Sequence, residues 1–350
     1  MNEVRIDAAT LERFTAALFE GMGLAPADAA TEAHVLVWAN LRGIDSHGVL
    51  RVPQYQASVD AGGMNPRAVY RIERETAATL LIEADYAFGP VVTTYAMQQA
   101  IAKARQAGVG WAVIRNTTHQ GAMGYYALMA AEADMMGLAI VCNPPNMAPA
   151  GARAAGVHNS PIAIAAPALR RPPLVMDMAT SVAAFGKINL AVDKGVPIPP
   201  GWALDAEGQP TTDAQAAKTL LPAGGYKGYG LSLMFECLSS VMAGNALLAR
   251  SLHGETVRRG TQNSVVAAID IAAFTDVETF KRDIDATIAG LKGLPTVDGV
   301  AEVLVPGEPE LATLAEREAH GIPLPAGTVH NLQAAAERLG VPLPAALKAT

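Results

Sequence analysis

Cysteine is almost missing from this 350-residue chain: Cys142 and Cys237 are the two it has. No disulfide framework can be built from them, and a reducing cytoplasm is the expected home. Charge is sparse as well, at 17% of residues with a net of -7. A surface without excess positive charge argues against general binding to nucleic acid or anionic membranes, because both need basic groups to displace counterions. No apolar run of spanning length escapes interruption by Pro, Gly or polar residues, so no membrane helix is expected. Met1 to Glu20 carries acids inside an amphipathic pattern and lacks the apolar run and cleavage site of a signal peptide.

Phosphate-binding glycine motifs are also absent. Gly21-Met22-Gly23 and Gly108-Val109-Gly110 lack the third glycine of a G-x-G-x-x-G turn, and no Gly-Lys-Ser/Thr loop occurs. Taken alone, this argues against a Rossmann dinucleotide enzyme. His47, His119, His158 and Asp177 are metal-ligand types, yet no H-x-x-x-H spacing or cysteine pair accompanies them, so no metal is expected. A metal-dependent enzyme and a non-catalytic ligand-binding protein stand as the alternatives of another class.

The chain is 51% hydrophobic and long enough to bury a sizeable core in two domains. Residues up to about Gly63 read as helices, with Pro26 to Leu41 spaced as one helix and Gly43 placed to stop it. Val69 to Glu75 and Thr79 to Glu83 read as a hairpin, and Pro90 to Ala107 as a helix. Strands are expected at Trp111–Arg115, Leu138–Cys142, Ile162–Ala166, Leu174–Met178, Val265–Ile269 and Ala301–Val305. Helices are expected at Met123–Met136, Tyr229–Met242 and Val329–Leu339, with a long loop from Gly195 to Gly225. This mixture implies an α/β central domain, residues 66–309, with a helical domain built from 1–65 and 310–350.

The densest chemistry lies in Arg42-Gly43-Ile44-Asp45-Ser46-His47-Gly48-Val49-Leu50-Arg51-Val52-Pro53-Gln54-Tyr55. His47, Arg51 and Tyr55 are spaced i, i+4, i+8, so a helix resuming at Val49 projects them from one face. An imidazole near its ordinary pKa of about 6.5 exchanges protons at working pH, and an arginine fork suits a planar carboxylate. The plainer alternative is a backbone-bonded loop histidine beside a solvated arginine. Asn116 to Gly121 forms a second polar loop, between a strand and a helix, where His119 is a candidate contact. Asp177 at a strand end suits orienting an imidazole, bonding a ribose hydroxyl or capping a helix. Lys227, among glycines ahead of a helix, suits a phosphate or carboxylate.

These segments resemble, in order, the motifs of the malate/L-lactate dehydrogenase family of the second type, which includes sulfolactate and ureidoglycolate dehydrogenases, diketogulonate reductase and cyclic ketimine reductases. The match begins at Arg42–Tyr55 and continues through Asn116–Tyr126, Asn143–Pro149, Asp177–Ser181, Gly225–Leu231 and Pro306–Glu308. The resemblance implies a non-Rossmann nicotinamide-binding central domain, a homodimer, and an NAD- or NADP-dependent oxidoreductase reducing a small 2-oxo acid. Reduction of a cyclic 2-imino acid is the alternative within the family. His47 would supply the proton, with Asp177 as the second catalytic residue, Arg51 hold the substrate carboxylate, and Ser46, Tyr55 and His119 support the substrate. His119, Asp177, Met178, Ala179, Lys227, Gly228, Gly307 and Glu308 would face the cofactor, Glu308 by bonding ribose hydroxyls. Thr118, Gln120 and His158 depart from the usual pattern and are candidates for substrate selection. The motif loops show no second arginine fork beyond Arg51 to grip a dicarboxylate, and Ala152 with Arg153 nearby would either admit a second acidic group or only shield the cleft, so a singly charged acid is expected.

Overall fold

The protein is described from a computed structural model covering residues 4–258 and 260–348, with backbone alone for residues 190, 193 and 194. At its centre is a seven-stranded mixed sheet. Its order is Arg71–Glu75, Thr79–Glu83, Val109–Thr117, Gln262–Asp270, Met135–Cys142, Ile162–Ala166, Leu174–Met178. Thr79–Glu83 and Val109–Thr117 run parallel, joined by the helix Gly89–Ala107, and the other neighbouring pairs are antiparallel. A doubly wound Rossmann sheet is mostly parallel, so this is a different α/β arrangement.

Small residues let the layers approach closely. The helices Gly89–Ala107 and Gly124–Glu132 bury Ala96, Ala100, Ala104, Ala127 and Ala130 in the largest core cluster. A Cβ on Gly110 would lie 1.8 Å from the Ala100 carbonyl oxygen, and one on Gly137 2.0 Å from that of Ala127. Glycine is therefore required where these strands pass under the helices. Val113, Ile140 and Val265 on the opposite face meet Phe235 and Ala243, supplied by the helix Tyr226–Glu236 and the segment beyond its π-helical continuation Cys237–Val241.

Both ends of the described chain share a second core. The strand Val4–Ile6 pairs antiparallel with Ile322–Leu324, and the helices Ala8–Gly21, Pro26–Leu41 and Ala326–Leu339 bury Leu11, Leu18, Leu36 and Leu332 together. Each such leucine contributes roughly 1.5–3 kcal/mol of burial. A third cluster, around Met147, Ile188, Ile198 and Leu220, supports a small sheet of Ala203–Leu204, Pro210–Thr211 and Thr219–Leu220.

Several expected elements change. The helix expected to reach Met136 stops at Glu132, because Asp134 turns at φ 61 and Met135 opens the strand paired with Asp270. Ala301–Val305 is not a strand; nearby, the Pro306 carbonyl accepts a bond from Val175 N, without a ladder. The expected loop from Gly195 to Gly225 contains the three short strands just named. Helices also form at Phe185–Lys194, Leu247–Leu252, Val277–Lys292 and Glu308–His320, where the sequence reading placed none.

One buried carboxyl is out of place in this scaffold. Glu32 on the helix Pro26–Leu41 is fully buried, and neither carboxyl oxygen has a hydrogen-bond partner among the described residues. Burial, with repulsion from Asp28, raises its pKa well above the usual range. A raised folded-state pKa stabilises fully below the unfolded value, and that stability is lost as pH rises through the folded one. Glu32→Gln, which cannot ionise, is expected to gain about 1–3 kcal/mol at pH 8 and little near pH 4.5. Urea unfolding of both forms at the two pH values checks this, and an equal effect at both would refute it.

Candidate active site

The signature loop is built from the end of the helix Pro26–Leu41 outward. Gly43 turns at φ 77, two short 3-10 turns follow at Asp45–His47 and Val49–Arg51, and an α-helix resumes at Val52–Asp60. Asn40 organises this turn. Its Oδ1 accepts from Val49 N at 2.8 Å and its Nδ2 donates to Asp45 Oδ1 at 2.6 Å. A Cβ on Gly48 would lie 2.2 Å from Asn40 Oδ1, so glycine is needed there. Arg317, on the helix Glu308–His320, donates to both Asp45 oxygens at 2.6 and 3.0 Å and to the Asn40 carbonyl. The loop is thus held from the other end of the chain, a link that no local spacing reveals.

Ser46, His47, Arg51 and His119 line one cavity of about 950 Å³. The His47 and His119 rings stack with centroids 5.3 Å apart. His47 Nδ1 lies 2.8 Å from the Ser46 hydroxyl, which can donate or accept. His119 Nδ1 accepts from Gly121 N at 3.3 Å, and the Tyr55 hydroxyl sits 2.6 Å from the same nitrogen. A backbone N–H can only donate, so the proton of neutral His119 rests on Nε2. His119 Nε2–H is therefore a fixed donor, whereas the tautomer of His47 is left open by a hydroxyl that can donate or accept.

Burial, then the charge of Arg51, pushes His47 down to about 4. Burial likewise drives His119 well below the usual histidine range, with Arg51 and His47 adding to the effect. The expectation of an imidazole at its ordinary pKa is thereby corrected: both rings are neutral at pH 7. Arg51 is gripped from behind, its Nε donating to the Ser46 carbonyl at 2.7 Å and its Nη1 to Gln54 Oε1 at 2.6 Å. Those bonds leave the rest of the five-donor fork available to a ligand.

Other expected contacts are redistributed. Tyr55 is fully buried behind His119 and positions that ring without lining the cavity. Asp177 lines the cavity, and its Oδ2 accepts from Gly124 N at 2.7 Å; it caps the helix Gly124–Glu132 and does not orient an imidazole. Desolvation lifts its carboxyl to about 6 against that N–H bond, and the charge of Glu310 adds to the rise. Met178, Ala179 and Gly307 also line the cavity.

Lys227 and Gly228 do not belong to the lining. Lys227 is exposed, and Gly228 serves packing, since a Cβ there would lie 2.2 Å from the Thr180 carbonyl. The lysine in the lining is Lys187, on the unanticipated helix Phe185–Lys194. The apolar spacing of Ile188, Ala191 and Val192, with Gly195 closing at φ 62, was the available signal for that helix. Glu308 is also outside the lining: Lys292 bonds its carboxylate at 2.9 Å, with Val305 N at 3.0 Å, and holds it below the usual range.

Among the candidates for substrate selection, Gln120 and His158 line the cavity, while buried Thr118 spends its hydroxyl on the Ala87 carbonyl at 2.9 Å. His158 Nε2 lies 2.9 Å from Asn143 Nδ2, and burial lowers its pKa to about 3. Arg153 and Ala152 are exposed and outside the lining, with the Arg153 backbone against Gly208. Arg42 and Lys187 are thus further cations in the lining beside Arg51, which removes the ground for preferring a singly charged acid. Among the described residues, no three His, Cys, Asp or Glu side chains are grouped to hold a metal, and no helix is long and apolar enough to cross a membrane.

Comparison with known proteins agrees with this geometry. The malate/L-lactate dehydrogenase family model matches residues 6–333. Malate dehydrogenase from Pyrococcus abyssi is 36% identical over 97% of this chain and 96% of its own. Ureidoglycolate dehydrogenase (NAD(+)) from Escherichia coli O157:H7 is 35% identical over 82% of each chain. The solved structure of sulfolactate dehydrogenase from Methanocaldococcus jannaschii superposes with a TM-score of 0.86 at 34% identity, covering 97% of this chain and 98% of that one. With five of the six ordered motifs brought to one cavity and near full-length similarity to these enzymes, the chain belongs to the malate/L-lactate dehydrogenase family.

Proposed function

We propose that this protein is a nicotinamide-dependent oxidoreductase that interconverts a small 2-oxo acid and its 2-hydroxy acid. The observation that carries this reading is the meeting of His47, His119 and the free edge of Arg51 at one end of a cavity far larger than such an acid. The names of the similar enzymes, which refer to malate, sulfolactate and ureidoglycolate, support a carboxylate-bearing substrate.

A nicotinamide dinucleotide fits the remaining space. About 950 Å³ is ample for it, and Gly124 and Gly307 keep the wall open where a Cβ would lie 3.2 Å from Asp177 Oδ2 or 3.3 Å from Val175 N. Asp177, Met178, Ala179 and Gly307 would hold it, and when bound it supplies or takes the hydride. Arg51 anchors the substrate carboxylate through its unused N–H groups, which sets the adjacent carbonyl beside the two rings. His119 Nε2–H polarises the carbonyl oxygen, and His47 transfers the proton at Nε2 while Ser46 steadies its Nδ1.

A panel of pyruvate, oxaloacetate, sulfopyruvate and five- and six-membered cyclic imines, each with NADH and NADPH, tests the reading. Turnover of at least one 2-oxo acid above the imines is expected; turnover confined to the imines would replace it with the imino-acid reaction.

We further propose a homodimer. Tyr226, Leu231, Met234, Val241 and Met242, along one helix and its continuation, are 71%, 46%, 57%, 51% and 59% exposed, a large apolar strip for a protein surface. Sedimentation is expected to give twice the 36.3 kDa chain mass, and Met234→Glu with Met242→Glu to shift the equilibrium toward monomer. A wild-type protein sedimenting at 36.3 kDa at micromolar concentration would overturn this.

A further inference from the structure

The cavity continues well beyond the histidines. Hydride must reach the carbon beside Arg51, so the nicotinamide belongs at the histidine end and the adenosine half at the other. The lining runs along the strand Leu174–Met178 to the apolar surfaces of Pro172 and Pro173, with Gly307 against Val175, and includes Leu311, half-buried Glu310 and exposed Glu132. Among the described residues neither carboxylate is engaged in a hydrogen bond or salt bridge. Glu310 stands in the first turn of the helix Glu308–His320, and its charge reaches Asp177 inside the cavity.

The cations nearby are already matched. Arg42 lies 4.1 Å over the Trp38 ring, and its charge faces Glu132 and Glu318. Arg171, next to Pro172, faces Asp285 and Glu308. With Glu132 facing Arg42, which also lines the cavity, Glu310 is the lining carboxylate left without a cation among the described residues. Carboxylates accept hydrogen bonds from a ribose diol and repel a phosphate at the same place.

We infer that Glu310, assisted by Glu132, receives the 2′,3′-diol of an unphosphorylated adenosine ribose and turns away a 2′-phosphate, so that this enzyme selects NADH over NADPH. The inference rests on the nicotinamide reading above and adds which nucleotide is taken and which side chains choose it.

Titration of the purified protein with NADH and with NADPH, followed by nicotinamide fluorescence, provides the test without requiring the substrate. NADH is expected to bind about 30-fold tighter than NADPH, and the ratio to shrink as salt screens the repulsion. Glu310→Gln is expected to tighten NADPH by about tenfold while changing NADH by less than about threefold, with Glu132→Gln adding a smaller gain. Equal or tighter binding of NADPH by the wild type would overturn the inference while leaving the oxidoreductase reading intact. A ratio unchanged in both Glu310→Gln and the Glu132→Gln/Glu310→Gln double variant would also overturn it. If neither nucleotide bound, both readings would fall together.

Discussion

Replacing His47 with alanine is expected to lower the turnover of 2-oxo acid reduction by about 10²–10⁴-fold, the range for one positioned acid-base group, with a smaller change in KM. The assignment follows from the hydrogen bonds of the two stacked rings. His119 has its Nδ1 filled by the Gly121 N–H, with the Tyr55 hydroxyl alongside, whereas His47 faces a hydroxyl that can reverse its role. Its lowered pKa of about 4, set by burial and then Arg51, gives the pH dependence a definite sign. In the free enzyme the ring is neutral and basic above about pH 5, so oxidation of the hydroxy acid should show no loss from His47 between pH 6 and 8. Reduction needs the ring protonated and should slow as pH rises through that range. A bound carboxylate offsets Arg51 and eases protonation, so the decline should be shallower in kcat than in kcat/KM. Initial rates in both directions from pH 5 to 9 measure this, and near-wild-type turnover in His47→Ala would move the proton transfer to another group.

Arg51→Leu is expected to reduce kcat/KM by about 10²–10³-fold, mostly through KM, because a charge-assisted anchor in a partly buried site contributes several kcal/mol. The Ser46 carbonyl and Gln54 hold the guanidinium from behind, so the free edge is already aimed before substrate arrives. Arg51→Lys should recover only part of the loss, since a point charge cannot reproduce two parallel bonds or the brace to Ser46. Steady-state kinetics of both variants with the best 2-oxo acid provide the comparison. Equal kcat/KM in wild type and Arg51→Leu would show that another cation, with Lys187 first in line, holds the carboxylate.

What was legible in the sequence is what short stretches determine by themselves. The helix Pro26–Leu41, the strands Ile162–Ala166 and Leu174–Met178 and the loop carrying Ser46 and His47 form where apolar spacing, a first-turn proline and the Gly43 turn place them. The ordered motifs likewise identified the family, because each is a local string. Tertiary structure alone decided what those residues face. Asp177 caps a helix 53 positions away, Tyr55 bonds a histidine 64 positions away, and Arg317 braces Asp45 across 272. Which lysine reaches the cavity was likewise outside local pattern: Lys227 begins a helix that turns it to solvent, while Lys187 begins one packed beside Ser46, where a Cβ on Gly186 would lie 3.3 Å from Ser46 Cβ. Spacing fixes which side chains share an element's face, but burial, charge balance and donor direction arise only when distant elements close around the same space.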